Sequence, residues 1–466
     1  MISLVTGGKS LEHLINKMTA MLKAGDSVPS VTERLSLFAL PPTETGVEKK
    51  YYVNFRPVSQ IIDHNAPIEF SFGGDSVDMI DLKHSDLHCK VKIVTHDGDN
   101  VTKSDLVAPV NQLLHSLWDK VDITLQGRTM THTMGSYPYA AYIKNIKCLG
   151  ADSNHLETIG FKLDSGDMDA TGLMEKNDPN DDDEVAAYNG GALARGKWFY
   201  DGKTFQLEGP LLADVCQIDR YLLNNTEVGI KLYRNRSNFI IGAKDDTKEY
   251  KVTIEDIYFK TCYVKPSPGV LLGISKALDA GHKALYPYTK TEVRIFNIPQ
   301  GFQDTYLDNV FQGIVPGRII MGMVSSSAKN GKYTKNPFNF QPFGVTEIGV
   351  SVDGNYRPGQ PTKVNFKEGQ NYVTAYRNFV GCMSTSANDV GITLDAFKGG
   401  FALFSFRLDE DREEADPEKS LALIKHGSVR LELSFGSELK ETVSLIVFAE
   451  YPSMFQIDKT RKVDLV

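Results

Sequence analysis

The sequence is poor in the residues and patterns that build dedicated chemical sites. Its five cysteines, Cys89, Cys148, Cys216, Cys262 and Cys382, are scattered, with no C-x-x-C pair and no histidines at matching spacing. That excludes the common zinc frameworks and a disulfide scaffold. There is no G-x-S-x-G elbow, no Gly-rich phosphate loop of the P-loop or Rossmann type, and no H-E-x-x-H,. No apolar run approaches the ~20 residues that cross a bilayer. The opening "MISLVTGGKSLEHLINKM" turns polar too early for a signal peptide,. The chain is therefore expected to be made in the cytosol and not secreted, and the sequons at Asn100, Asn224 and Asn235 read as chance. Positive charge is also in deficit, with 51 Lys and Arg against 59 Asp and Glu and a net charge of −8. Nothing in that balance gives a general electrostatic grip on nucleic acid.

What the chain has is alternation. At 466 residues, 41% hydrophobic and 24% charged, it is long enough for two ordinary domains and has the composition of a globular protein,. "LHCKVKIV" sets Leu87, Cys89, Val91 and Ile93 against His88, Lys90 and Lys92. "TIGFKL" alternates through Ile159, Phe161 and Leu163, and "YKVTI" through Tyr250, Val252 and Ile254. "SVRLELSFG" does so through Val429, Leu431, Leu433 and Phe435; after a turn from Gly436 to Glu441, "VSLIVFAEY" resumes, so this pair predicts an antiparallel hairpin,. Roughly sixteen such runs, separated by Gly, Pro, Asn and Asp clusters, predict antiparallel sandwiches and not a doubly wound sheet.

Helices are few. Leu11, Leu14, Ile15, Met18 and Leu22 mark an amphipathic helix from Ser10 to Ala24, followed by an extended tether,. Three stretches switch from a helical stripe to a strand. They are Val110 to Leu125, with Leu113, Leu114, Leu117 and Trp118 on the stripe; Leu211 to Leu232, with Val215, Ile218 and Leu222; and Leu307 to Ile319, with Val310 and Phe311. A fourth helical piece, "PGVLLGISKALDAG", precedes a fresh strand expected at about Thr291. The division that follows is an N-terminal helix and arm over 1–47, a first sandwich over 48–265, a helical linker over 266–290 and a second sandwich over 291–466. The stretch 165–197 is acidic and Gly-rich and reads as a surface excursion; its "DPNDDDE" lacks the register of an EF-hand,.

Chemical readings are weak by comparison. In "HSDLH" a strand would put His84, Asp86 and His88 on one side, as in a facial metal triad or a two-domain cupin,. The alternation assigns that side to solvent, and the glutamate and second histidine motif of a cupin are missing. His115 sits on the flank of a helical stripe, where a satisfied polar group at the edge of a core is the simpler reading. Trp118 is on the stripe and reads as core. No catalytic, cofactor-binding or metal-ligating residue is assigned, and no cofactor.

The order of segments resembles the major capsid proteins of Polinton (Maverick) elements and the related adintoviruses. The residues that carry it are "VNQLLHSLWDKVDITLQG" with "YPYAAYI", and "QIDRYLLNNTEVGIKLYRNRSNFIIGA" in the first half. In the second half they are "VRIFNIPQGFQDTYLDNVFQGIVPGRIIMGMV", "KNPFNFQPFGVTEIGVSVDG" and "VRLELSFGSELKETVSLIVFAEY". The match runs from about Tyr51 to the C-terminus, leaving out 165–197 and the first 45 residues. The resemblance implies an all-β double jelly-roll, two eight-stranded antiparallel sandwiches with a few short helices and an N-terminal helix. It implies no enzymatic activity but a homotrimeric, pseudo-hexameric capsomer tiling the icosahedral shell of a virion around a DNA genome. Neighbouring capsomers and a minor capsid or penton protein are the implied partners, without sequence-specific nucleic-acid binding. Residues 1–45 would run along the inner surface to neighbours, minor proteins or a membrane, or else pack on their own domain. The alternatives left by the residues alone are a cupin-like metal enzyme and a glycan-processing or glycan-binding jelly roll.

Overall fold

Alternation in sequence becomes two-sidedness in the sheets. In the 17-residue strand Met79–Thr95, Leu87, Cys89, Val91 and Ile93 are fully buried while Lys90 and Lys92 stay partly in water,. In His426–Phe435, Val429, Leu431, Leu433 and Phe435 face inward against Arg430, Glu432 and Ser434. The computed structural model describes residues 43–58, 66–131, 135–149, 153–171, 188–244, 246–367, 371–383, 391–408 and 424–465. Its strands all belong to one unit, Gly46–Val466. The helix expected from Ser10 to Ala24 lies outside the described residues.

Ten strands precede the helix Pro268–Asp279. They are β1 (Val47–Phe55), β2 (Ile68–Gly73), β3 (Met79–Thr95), β4 (Ala108–Pro109), β5 (Trp118–Leu125), β6 (Arg128–Thr129), β7 (Phe205–Pro210), β8 (Glu227–Arg234), β9 (Ile241–Gly242) and β10 (Tyr250–Pro266). Ten follow it: β11 (Ala284–Ile298), β12 (Asp304–Ile314), β13 (Arg318–Ser325), β14 (Val345–Val352), β15 (Asn355–Tyr356), β16 (Thr362–Lys363), β17 (Leu403–Arg407), β18 (His426–Phe435), β19 (Val443–Ile457) and β20 (Val463–Leu465).

The first set pairs as β1-β10-β3-β7 and β2-β8-β5-β6, the second as β11-β19-β13-β17 and β12-β18-β14-β15. β16 and β20 are short additions to β14 and β19, and β4 pairs with β9 apart from the large sheets. With these four short strands set aside, both halves have the order 1-8-3-6 in one sheet and 2-7-4-5 in its mate. That repeated order is the jelly roll, and it makes the chain an all-β double jelly-roll. The two sheets of each roll close on aromatic pairs. Phe72 of β2 stacks on Phe259 of β10 at 5.2 Å, and Phe311 of β12 meets Tyr451 of β19 edge-on at 6.1 Å,.

Several local expectations are corrected. The helix at the first joint is a single turn, Leu113–Ser116, and the strand begins at Trp118. At the second, only the 3-10 turn Asp214–Gln217 forms, and at the third there is no helix, because Leu307, Val310 and Phe311 lie in β12. There Leu307 pairs with Leu431 and Phe311 with Val429, so residues 308–310 bulge opposite Arg430 alone. The bulge stretches a period of two into spacings of three and four, which mimic a helix. The run at 158–163 is not a strand but the end of the 3-10 helix Ser153–Ile159 with irregular chain after it. β18 and β19 are not a hairpin: they belong to opposing sheets, and the link between them crosses the sandwich edge. The strand expected at about Thr291 begins at Ala284.

Candidate functional site

The two rolls meet on a face that each builds from its own chain. β19 turns Val443, Leu445, Val447, Ala449 and Tyr451 toward its own core, and Ser444, Ile446, Phe448 and Glu450 the other way. Ile446 and Phe448 are nonetheless fully buried. The cover comes from the first roll's helix Tyr137–Lys147, which starts with Pro138 in its first turn and is apolar nearly all round,. One side of it is tied to its own roll: Asn145 Nδ2 donates to Gln112 Oε1 at 2.8 Å, and Gln112 Nε2 to the Pro138 carbonyl at 2.7 Å. The other side faces the second roll. Tyr142 stacks on Phe338 at 4.3 Å, Tyr139 meets Phe338 edge-on at 5.7 Å, and the Lys147 ammonium lies 5.6 Å from the Phe448 ring centre. Gly322 on β13 is required here, since a Cβ would come within 2.5 Å of the Phe340 ring.

Two ionic groups pin this junction. Lys147 bonds the Glu450 carboxylate, and Arg318 of β13 lies 3.4 Å from its other oxygen. Burial pushes the Glu450 carboxyl up, but the charges of Lys147 and Arg318 outweigh it and hold the group below the ordinary carboxylate range,. Beside it, Lys144 pairs with Asp214 at 2.7 Å, whose carboxylate accepts from the Thr291 amide at 2.7 Å and hydroxyl at 2.6 Å. The second group is deeper. Arg195, 1% exposed, donates to the Pro109 carbonyl at 3.0 Å, the Lys162 carbonyl at 2.6 Å and Asp164 Oδ1 at 2.7 Å. Asn336 of the second roll donates to the other oxygen of Asp164 at 3.2 Å, and Lys335 pairs with Asp169 at 3.0 Å. A small cleft lies there, lined by Thr171, Asn189, Arg195, Lys335 and Asn336 among others. Its cations are already paired with carboxylates, so it offers no free charge to a ligand.

The flanks of 165–197 are therefore not a surface excursion. Gly166 bridges to Asn189, and the helix Gly190–Gly196 carries Arg195 into the junction; residues 172–187 lie outside the described residues. His115 is the buried polar group that the sequence indicates. Its Nδ1 and the Tyr137 hydroxyl are 3.0 Å apart, that hydroxyl accepts from the Leu212 amide at 3.2 Å, and burial, helped by the Lys144 charge, pushes the imidazole down to about 3. It is sealed from any substrate. Trp118 is fully buried.

The histidine-aspartate cluster does not converge. Lys260 of β10 pairs with Asp86 and Cys262 with Asp81, so residues 82–85 bulge opposite Thr261 and His84 leaves the strand's alternation,. His84 Nδ1 then bonds Asp81 at 2.8 Å, whereas His88 Nδ1 bonds Glu208 at 3.1 Å and its ring stacks on Tyr258 at 4.3 Å. Burial pushes Asp81 up, but hydrogen bonds from Lys50 and His84 prevail and keep its carboxyl low. Among the described residues no group of three or more His, Cys, Asp or Glu could hold a metal ion.

The sequence reading missed Lys147, Glu450, Arg195 and Asp164. One signal was available: Glu450 is the single charge in "VSLIVFAEY", a stretch that is apolar on both faces apart from Ser444. Parallels with known proteins concern the whole body of the chain. No family model matches. An uncharacterized protein of Caenorhabditis elegans, F54H12.2, is 26% identical over 438 residues, covering 91% of this chain and 98% of the relative. The cryo-EM structure of the Sputnik virophage contains a chain that superposes with a TM-score of 0.60 at 12% identity, over 96% of this chain and 94% of that one. The faustovirus major capsid protein gives 0.53 at 9% identity, over 96% of both chains. The mavirus major capsid protein gives 0.52 at 12% identity, again over 96% of both. At these identities the likeness is one of fold, and the fold is the double jelly-roll of viral major capsid proteins.

Proposed function

We propose that the chain is a major capsid protein of the Polinton and adintovirus kind, a structural protein without enzymatic activity. Three copies form a pseudo-hexameric capsomer, and capsomers, joined by a minor capsid or penton protein, tile an icosahedral shell around a DNA genome. The protein is then made in the host cytosol and resides in the virion. The observation that carries this reading is the duplicated strand order, 1-8-3-6 over 2-7-4-5, in two rolls of one chain, together with superposition over nearly the whole chain on capsid proteins of that build. Six similar rolls round an axis make a hexagonal block from three chains, which suits tiling. The pinned junction adds to it, because a tile must hold the angle between its rolls. The metal-enzyme alternative loses its support where His84 and His88 take separate partners.

The test is expression followed by light scattering and electron microscopy. The reading expects a particle of three times the chain mass of 51.7 kDa and hexagonal arrays or closed shells. A protein that stays monomeric across a wide concentration range contradicts it. Deleting residues 1–45 is expected to leave trimers and impair shells; unimpaired shells would remove the arm from assembly.

A further inference from the structure

The two rolls share one strand order, but among the described residues a helix covers the outer side of the 1-8-3-6 sheet in the second roll alone. In the second roll that sheet is packed beneath the first roll's helix Tyr137–Lys147, which belongs to the connection between the fifth and sixth strands of its roll. The matching connection of the second roll holds a helix of the same length, Val373–Met383. Its buried residues, Ala375, Phe379, Cys382 and Met383, pack toward its own roll, and Val373, Thr374, Arg377 and Gly381 point to solvent. Arg377 has no partner among the described residues. The matching sheet of the first roll is open: Tyr52 of β1 is 50% exposed, and Glu208 of β7 and Lys260 of β10 keep about a third of their side chains in water. In the middle of this face Asp86 lies in register between Lys260 and Pro210. Lys260 is engaged by Glu208 at 2.8 Å; Asp86, half-buried beside them, makes no hydrogen bond or ion pair among the described residues, and burial and the Glu208 charge push its carboxyl up against the charges of Lys260 and His84.

We infer that the helix Val373–Met383 docks on the open β1–β10–β3–β7 face of a second copy of this chain, with Arg377 of one copy meeting Asp86 of the other. The inference rests on the trimer reading and names its interface. Within the chain, a helix bearing cations, Lys144 and Lys147, covers a sheet that presents an acid, Glu450. Between chains the same kind of contact recurs in smaller form, a helix with one cation, Arg377, over a mixed-charge sheet face whose acid Asp86 has no ion pair among the described residues. Repeating that head-to-tail contact joins unlike surfaces, which closes a ring without a free end when the rotation per roll divides the circle. The difference in polarity fits the difference in role: a face covered during folding can be apolar, while one covered after folding must be soluble alone.

The charges give the test. In sedimentation over a dilution series, Asp86→Lys and Arg377→Glu are each expected to raise the concentration at which the trimer dissociates by about ten-fold or more. The double variant Asp86→Lys/Arg377→Glu is expected to return it to near the wild-type value. Tyr52→Lys, at an exposed position that carries no core packing, serves as an independent probe of the same face and is expected to weaken the trimer too. A stable wild-type trimer that none of these changes weakens overturns the interface and leaves the trimer reading standing. Single variants that weaken it without rescue in the double variant overturn the Arg377–Asp86 contact. A wild-type chain that never trimerises overturns both.

Discussion

The outer faces of the two 1-8-3-6 sheets differ in almost everything except topology. In the second roll the face presents Ile446, Phe448 and one carboxylate, Glu450, held by Lys147 and Arg318. In the first it presents Tyr258, Lys260, Asp86 and Glu208, a half-exposed mosaic of aromatic and charged groups, with His88 buried beneath the Tyr258 ring. The same strand order thus supports a permanent interface in one place and a water-compatible one in the other. Side-chain chemistry alone sets which face is closed by the chain itself.

The contrast predicts unequal costs for matched changes. Phe448→Ala should be the most damaging, at about 3–5 kcal/mol, because it leaves a cavity beneath the helix Tyr137–Lys147. Denaturant unfolding measures it, and a cost below about 1 kcal/mol would mean the face is not packed as described. Glu450→Ala should cost about 3 kcal/mol at neutral pH, since it strands two cations in a largely dry junction. The folded carboxyl titrates below its unfolded value, near 4.5, so this contribution is present above that pH and lost as pH falls through the folded value,. The gap between wild type and variant should therefore close in acid, and a gap that widens there would reverse the assignment.

His115 has the same sign for a different reason. Its folded value of about 3 lies below the unfolded 6.5, so its neutral ring adds nothing adverse above pH 6.5 and opposes folding as pH drops toward 3,. A His115→Gln variant should show a flatter loss of stability between those values in a thermal-melt series. On the open face, Lys260→Ala should change chain stability by no more than about 1 kcal/mol, as exposed pairs usually do. A larger loss in a dilute, unassembled sample would show that the face belongs to the fold.

The sheets were legible in sequence where the period of two was clean, as at Leu87 to Ile93 and Val429 to Phe435. They were not where a bulge reset it. Leu307, Val310 and Phe311 took a helical spacing from a bulge opposite Arg430. Pairing was hidden at β18 and β19 because alternation reports which face a residue takes, not which strand lies beside it,. The junction was the least legible part. Lys147 and Glu450 stand 303 positions apart, and Arg195 reaches three acceptors on two separate segments. No local pattern encodes such contacts; only folding brings them together.

In the proposed trimer the second roll's outer sheet is covered within the chain and the first roll's by another copy. Hydroxyl-radical footprinting along a dilution series across trimer dissociation tests it most directly. The claim predicts that Tyr52 and Tyr258 become protected as trimers form while Phe448 is protected at every concentration. Tyr52 and Tyr258 equally reactive in trimer and monomer would contradict it.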